Sequence, residues 1–160
     1  MEINFGTKVT LKQAANLIAS TPMNRYMLRG EPGIGKSSIM AALKEKFPTH
    51  GLAYIDVPNM DLGDIAMPVI DHETKTTRYY PNARFGFHTN NPMFVMLDEF
   101  TKGYPAVINM LHPLLEPHNP RLGDVPVHPE SFIFMTGNLA TDGVGDLMKA
   151  HTLNLSLIHI

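Results

Sequence analysis

An eight-residue stretch, Gly30 to Ser37, limits the possible folds of this chain more than any other part of it. It reads GEPGIGKS and fits the phosphate-loop pattern G-x-x-x-x-G-K-[ST] without a mismatch. The apolar run at 26–28 before it is typical of a buried strand. The run at 38–47 after it consists of good helix formers. Strand, glycine-rich turn and helix are the context that the motif requires, so we predict a loop that holds phosphate.

The residue types of this loop suit an anion. Gly33 and Gly35 let backbone N–H groups approach closely, where a Cβ would obstruct them. The helix that follows directs further N–H groups and a partial positive charge at the same point. Lys36 can reach the β- and γ-phosphates, and the hydroxyl of Ser37 can bind Mg²⁺. The predicted phosphate-binding residues are Gly30, Glu31, Pro32, Gly33, Ile34, Gly35, Lys36, Ser37 and Ser38.

Length and composition indicate one globular domain. The chain has 160 residues, of which 44% are hydrophobic and 18% charged. A formal charge of −2 gives no electrostatic reason to expect nucleic acid. The absence of Cys rules out disulfides and thiolate metal sites. Residues 1–5 do not resemble a signal peptide, and no apolar run approaches the ~20 residues of a membrane span, so we expect a cytoplasmic protein without a membrane partner.

Hydrophobic periodicity and turn residues predict alternating strands and helices. Strands separated by helices make βαβ units, and therefore a parallel sheet. The predicted helices are 10–20 (with a capping box from Thr10 to Gln13), 38–47, 106–112 and 146–153; the predicted buried strands are 26–28, 52–57, 94–97 and 131–135; irregular regions are 58–92, with a hairpin over 69–80, and 116–129, a loop or hairpin.

Polar residues follow two of these strands in positions that suit phosphate chemistry. Asp98 and Glu99 end the apolar run at 94–97, and Asn138 follows the strand at 131–135. In open α/β sheets, ligands sit at the carboxyl ends of the strands. We therefore predict that Asp98 holds Mg²⁺ opposite the phosphate loop and that Glu99 polarises the attacking water as a general base. Asn138 would bond the γ-phosphate and the water, although Gly-Asn is also ordinary turn chemistry.

Three ordered segments resemble the Walker A, Walker B and sensor 1 motifs of AAA+ ATPases: 30–37 (GEPGIGKS), 94–99 (FVMLDE) and 132–138 (FIFMTGN). The sequence at 98–116 and at 119–132 is most similar to that of the MoxR-like and dynein-related branch of this family. The resemblance covers about residues 10–150.

That resemblance implies a three-layer αβα sandwich with a five-stranded parallel sheet, the large subdomain of an AAA+ P-loop NTPase. It also implies ATP as ligand, Mg²⁺ as cofactor, hydrolysis with Lys36, Glu99 and Asn138 as catalytic residues, a homo-oligomeric ring, and remodelling of a protein partner. Such a client is often a von Willebrand factor A domain protein. The segments 62–90 and 117–129 would face the pore or the partner.

The sequence also departs from that family. It has no helical lid after the sandwich, and its last arginine is Arg121, whereas the family supplies an arginine to the neighbouring subunit after sensor 1. Lys149 is a weaker cation for that role. We interpret 1–154 as an incomplete ATPase subdomain and 155–160, which resembles translated adapter sequence, as a non-native tail. The alternative is a genuine short tail packed on the sheet.

Other functions stay open beside the remodelling ATPase. One is a nucleotide-gated binding module that hardly hydrolyses, and another is a DNA-directed motor or loader. A GTPase is disfavoured because no Asn-Lys-x-Asp motif occurs, and a small-molecule kinase because the acidic pair suits water activation. We expect the eight His to be solvated or hydrogen-bonded rather than metal ligands. A basic-aromatic surface for single-stranded nucleic acid is a weaker alternative to packing or partner contact, and its residues would be Lys75, Arg78, Tyr79, Tyr80, Arg84, Phe85 and Phe87.

Overall fold

The structure is a computed structural model, and it describes residues 7–22, 24–30, 33, 35, 38–137 and 155–160. Its strands are β1 (Thr7–Lys8), β2 (Arg25–Arg29), β3 (Gly51–Asp56), β4 (Ala66–Asp71), β5 (Thr76–Pro81), β6 (Met93–Asp98), β7 (Arg121–Leu122), β8 (Val125–Pro126), β9 (Phe132–Gly137) and β10 (Leu155–His159). Its α-helices are α1 (Leu11–Ser20), α2 (Ser38–Lys46), α3 (Leu62–Ile65) and α4 (Pro105–Leu111), and short 3₁₀ turns cover Val57–Asn59, Ala83–Phe85, Phe87–Thr89, Phe100–Lys102 and His112–Leu115.

The central sheet is parallel, as predicted. Among the described residues it has six strands in the order β1-β10-β2-β9-β6-β3. The expected count of five is therefore wrong by one, because the two residues of β1 add a short strand beside β10. Residues 155–159 form β10 between β1 and β2, while their interpretation as a non-native tail stays a prediction.

Apolar side chains cover both faces of this sheet. In β6, Phe94 and Met96 pack in a cluster with α1 and α2, whereas Val95 and Leu97 pack in a second cluster with α4. The alternation follows from the two-residue period of a strand, and a parallel sheet buried on both faces reads as a continuous apolar run. The three-layer αβα sandwich is thereby confirmed.

One strand differs from its prediction in exposure. The run at 52–57 was predicted as a buried strand, but β3 lies at the edge of the sheet. Leu52 and Tyr54 are 45% and 50% exposed, while Ala53 and Ile55 on the opposite face are buried. An edge strand needs only one covered face, so the side chain of Tyr54 is half exposed. Its hydroxyl lies near the carboxyl end of β6, where it contacts Asp98.

The capping box that begins α1 is confirmed. The N–H of Gln13 donates to the hydroxyl of Thr10 at 3.2 Å, and the N–H of Thr10 donates to the Gln13 side-chain oxygen at 2.8 Å. Two N–H groups of the first turn are thus satisfied. This fixes the start of the helix beside the phosphate loop, where Leu11 approaches Gly35.

Two hairpins project from the irregular regions. β4 and β5 pair antiparallel, and the Asp71 carboxylate accepts N–H bonds from Glu73 and Thr74 in the turn, which confirms the hairpin predicted over 69–80. β7 and β8 form the second, within 116–129. Of the residues in the weaker alternative of a basic-aromatic surface, Phe85 and Phe87 are buried in the core, as the favoured alternative of packing expects for them.

Candidate functional site

The ends of three neighbouring strands define the site. β9 lies between β2 and β6, with Gly137 opposite Arg29 and Met135 opposite Leu97. The carboxyl ends of all three strands therefore meet at one edge. Since adjacent strands are ~4.8 Å apart, the strand that leads into the phosphate loop and the strand that carries Asp98 are separated by about 10 Å.

The described part of the phosphate loop adopts the backbone that its glycines predict. Gly33 and Gly35 have φ of +80° and +86°, in the left-handed region that glycine adopts without steric cost. The N–H of Ser38 donates to the Gly35 carbonyl at 2.8 Å, and the Ser38 hydroxyl donates to the same oxygen. Ser38 thus stabilises the turn that starts α2, and its contact with phosphate stays a prediction.

Several predicted site residues lie outside the described part of the chain. In the loop these are Glu31, Pro32, Ile34, Lys36 and Ser37. Asn138, directly after β9, and the predicted helix at 146–153 are outside it as well. The proximity of Lys36 and Asn138 to the acidic pair therefore stays a prediction.

Asp98 is oriented from both sides at the end of β6. One carboxylate oxygen, Oδ2, accepts a hydrogen bond from the hydroxyl of Tyr54 on β3 at 2.6 Å. The other, Oδ1, accepts from the hydroxyl of Thr136 on β9. The bond to Asp98 is the largest cause that raises the pKa of Tyr54 above its usual range, followed by burial. Sequence reasoning missed both hydroxyl residues, although Thr136 stands inside the segment read as sensor 1.

Glu99 has an unusual backbone for a residue with a side chain. Its φ and ψ are +47° and +43°, in the left-handed region, which costs on the order of 1–3 kcal/mol for a residue other than glycine. Its N–H donates to the hydroxyl of Thr136 at 3.0 Å. Its carboxylate lies 3.1 Å from the ammonium of Lys102, and both side chains are partly exposed. Such strained residues cluster at active sites and switch regions.

The donor set fits magnesium bound with a triphosphate. Among the described residues, each oxygen of Asp98 accepts one hydrogen bond, and a carboxylate oxygen can accept at more than one site. No group of three or more His, Asp or Glu able to hold a metal occurs in the described residues. Mg²⁺ is usually held by one or two protein groups, with water and substrate phosphates completing the octahedron. Asp98 meets that requirement, and Ser37 is the other predicted ligand.

A groove adjoins the loop between the first two helices. It has a volume of about 610 Å³, and its lining includes Leu11 and Ala15 of α1 and Ser38, Ile39 and Ala42 of α2. Its walls combine apolar side chains with polar ones, among them Ser38, which begins α2 directly after the loop. No sequence pattern predicts this groove, because its shape depends on how the two helices pack.

The parallel sheet, the glycine loop and the acidic strand end define the class of P-loop nucleotide-binding domains. Residues 25–149 match the model of the AAA domain family, dynein-related subfamily. Because that match spans most of the sequence, the chain belongs to this family. AAA domains bind and hydrolyse ATP, usually with Mg²⁺, and usually assemble into oligomers.

Comparison with solved structures supports the fold. A crystal structure from Cytophaga hutchinsonii ATCC 33406, described as a "putative ATPase", superposes with a TM-score of 0.56 at 16% sequence identity. The match covers 94% of this chain and 44% of that one, so this chain spans less than half of its structural relative. A search of curated proteins finds no significant match. No helix within the described residues is long and apolar enough to cross a membrane.

Proposed function

We propose that this chain binds ATP with Mg²⁺ and hydrolyses the β–γ phosphoanhydride bond, and that this hydrolysis drives remodelling of a protein partner. The observation that carries the proposal is the position of Asp98 and Glu99, two strands from the phosphate loop at the same sheet edge. Water attack on a γ-phosphate needs a phosphate cradle, a metal site and a group that positions water, and this edge supplies candidates for each.

The residues take separate roles in this proposal. The loop N–H groups and Lys36 would hold the phosphates, and Ser37 and Asp98 would hold Mg²⁺, which would supply positive charge beside the triphosphate. Glu99 accepts the proton of the attacking water, and Asn138 hydrogen-bonds the γ-phosphate. Because Glu99 is paired with Lys102 in this structure, its carboxylate must turn from that cation toward the water.

The oligomeric ring and the protein partner are also part of this proposal. We expect a MoxR-like, ring-forming ATPase whose client is a protein, with a von Willebrand factor A domain as one candidate. The β4–β5 hairpin supports a partner contact, since it exposes Met67, Val69 and Ile70 by half or more. Exposed apolar side chains grouped on one element favour a binding surface over a purely solvated one. A cytoplasmic location stays a prediction.

A second candidate is a nucleotide-gated binding module that holds ATP and hardly hydrolyses it. The ion pair between Glu99 and Lys102 favours it, because the group meant to activate water already faces a cation.

One experiment separates these functions. ATP binding and phosphate release are measured for the wild-type chain and for Glu99→Gln, each with and without single-stranded DNA, and Glu73→Gln in the exposed hairpin turn is the matched control. Retained binding with phosphate release reduced about 10²–10⁴-fold in Glu99→Gln supports the hydrolase. Tight binding with negligible release in both proteins supports the binding module. Release stimulated by DNA supports a DNA-directed motor, and absence of ATP binding overturns all three.

A further inference from the structure

Thr136 joins the two acids of the site through a single oxygen atom. Its side chain is fully buried at the end of β9. Its hydroxyl donates to Asp98 Oδ1 and accepts the N–H of Glu99 at 3.0 Å. The direction of both bonds is fixed by chemistry, because an ionised carboxylate only accepts and a backbone N–H only donates. The single proton of the hydroxyl is therefore donated to Asp98.

These two hydrogen bonds act on different parts of the acidic pair, the side chain of Asp98 and the backbone of Glu99. The first fixes the side-chain rotamer of Asp98 and so the direction of its oxygens toward a metal. The second holds the backbone of Glu99, whose left-handed conformation is unfavourable for a side-chain-bearing residue. Without that bond, the backbone of Glu99 is free to relax to a more common conformation, and its carboxylate would move with it.

Tyr54 provides a contrast on the other side of β6. Its hydroxyl donates to Oδ2 of Asp98 at 2.6 Å, whereas the described hydrogen bond of the Glu99 backbone is made to Thr136. Tyr54 is half exposed, whereas Thr136 is fully buried. The neighbouring strands β3 and β9 thus orient one carboxylate oxygen each, and β9 also holds the backbone of the next residue, Glu99.

We propose that Thr136 is a positioning residue that sets Asp98 for Mg²⁺ and Glu99 for water at the same time, while Tyr54 positions Asp98 alone. The inference rests on the proposed function for its catalytic consequence. Its structural part, that the hydroxyl holds the Glu99 backbone, is independent of ATP. Groups that orient a metal ligand typically change metal affinity or activity 10–100-fold when they are removed.

The test compares Thr136→Val, which keeps the shape and removes the hydroxyl, with Thr136→Ser, which keeps the hydroxyl, and with Tyr54→Phe. Mn²⁺ binding to the ATP-loaded 160-residue chain is followed by electron paramagnetic resonance. Phosphate release is measured across a Mg²⁺ series. Thr136→Val is expected to weaken Mn²⁺ binding at least about tenfold and to lower kcat at saturating Mg²⁺. Tyr54→Phe is expected to weaken Mn²⁺ binding with a smaller loss of kcat. Thr136→Ser is expected to keep both Mn²⁺ affinity and kcat near the wild-type values.

A second measurement does not depend on catalysis. Amide hydrogen exchange at Glu99 in the nucleotide-free protein should speed up in Thr136→Val and stay at the wild-type rate in Tyr54→Phe. Thermal unfolding and ATP binding in EDTA identify a variant that has only lost its fold. If wild-type protein turns over ATP and Thr136→Val keeps its Mn²⁺ affinity, kcat and Glu99 exchange rate, the inference is wrong and the proposed function stands. If Thr136→Ser behaves like Thr136→Val, the hydroxyl is not the cause and the inference is also wrong. If wild-type protein binds no ATP, the proposed function fails, and the exchange rates at Glu99 still decide the structural part.

Discussion

The backbone of Tyr79 and the residue Asp124 form two hydrogen bonds that join the two hairpins. The N–H of Tyr79 donates to Asp124 Oδ2 at 2.7 Å, and the carbonyl of Tyr79 accepts the N–H of Asp124 at 2.8 Å. The adjacent Gly123 has φ of +57° and permits this approach, because a Cβ there would lie 2.4 Å from the Tyr79 oxygen. The exposed β4–β5 hairpin is therefore anchored at β5.

Gly123→Ala should destabilise the protein by about 1–3 kcal/mol, because it adds left-handed strain and a clash with a backbone oxygen. The free energy of unfolding in urea is the measurement. Gly63→Ala in α3 is the matched control: its Cβ would have no neighbour closer than 3.6 Å, so it should be neutral or stabilising. Equal stability of the two variants would contradict the packing described here.

Lys102→Met should raise ATP turnover, by no more than about fivefold, because the carboxylate of Glu99 no longer has to leave a cation and a partly exposed ion pair is worth ~0–1 kcal/mol. Steady-state phosphate release measures the effect, with Lys75→Met in the exposed hairpin turn as control. A large loss of turnover would mean that Lys102 itself acts on the phosphates.

Tyr54 should ionise at a higher pH than a free phenol, because its bond to Asp98 raises its pKa. The sign follows: a phenol whose pKa is raised by folding adds stability below the unfolded value of about 10, and this contribution is lost as pH rises through the higher folded value. Phenolate absorbance after rapid pH jumps measures it. Tyr54→Phe should identify the ionisation step of Tyr54 by removing it, and Asp98→Asn should move that step to lower pH. An unchanged step in Asp98→Asn would show that the bond is not its cause.

Arg25→Lys should cost about 1.5–3 kcal/mol of stability while ATP affinity is retained. The buried guanidinium donates to the carbonyls of Pro22 and Glu116 at 2.9 and 3.1 Å, at the sheet edge opposite the site, and one ammonium cannot replace this fork. Burial lowers the pKa of Arg25 to about 10, opposed by Glu116, so the side chain is charged at neutral pH. Urea unfolding measures the loss, and the exposed Arg78→Lys should change stability by less than about 0.5 kcal/mol. Loss of ATP binding in a folded Arg25→Lys protein would contradict this separation of sites.

Local patterns in the sequence predicted the parts of the fold that local chemistry determines. The capping box at Thr10 and the glycine-rich turn at Gly33 and Gly35 depend on neighbouring residues only; the capping box is found, and both glycines have a positive φ. The apolar run before Asp98 needs two covered faces, which a parallel sheet supplies.

Contacts that depend on strand order could not be predicted from local sequence patterns. Tyr54 meets Asp98, 44 positions away, only because β3 lies beside β6 at the edge of the sheet. A tyrosine in an apolar run is equally compatible with a buried strand, so its exposure was missed. The pairing of Lys102 with Glu99 depends on the left-handed backbone at Glu99, and no residue type in that segment predicts this conformation.

The position of β10 has a consequence for how this chain matures. Residues 155–159 lie between β1 and β2, so the pairing of β1 described here cannot form until residues 155–159 have left the ribosome. Contacts between segments so distant in sequence form slowly. During synthesis the edge of β2 that later receives β10 is an unpaired row of N–H and C=O groups, a surface on which a nascent chain can associate with another and which a chaperone would need to shield.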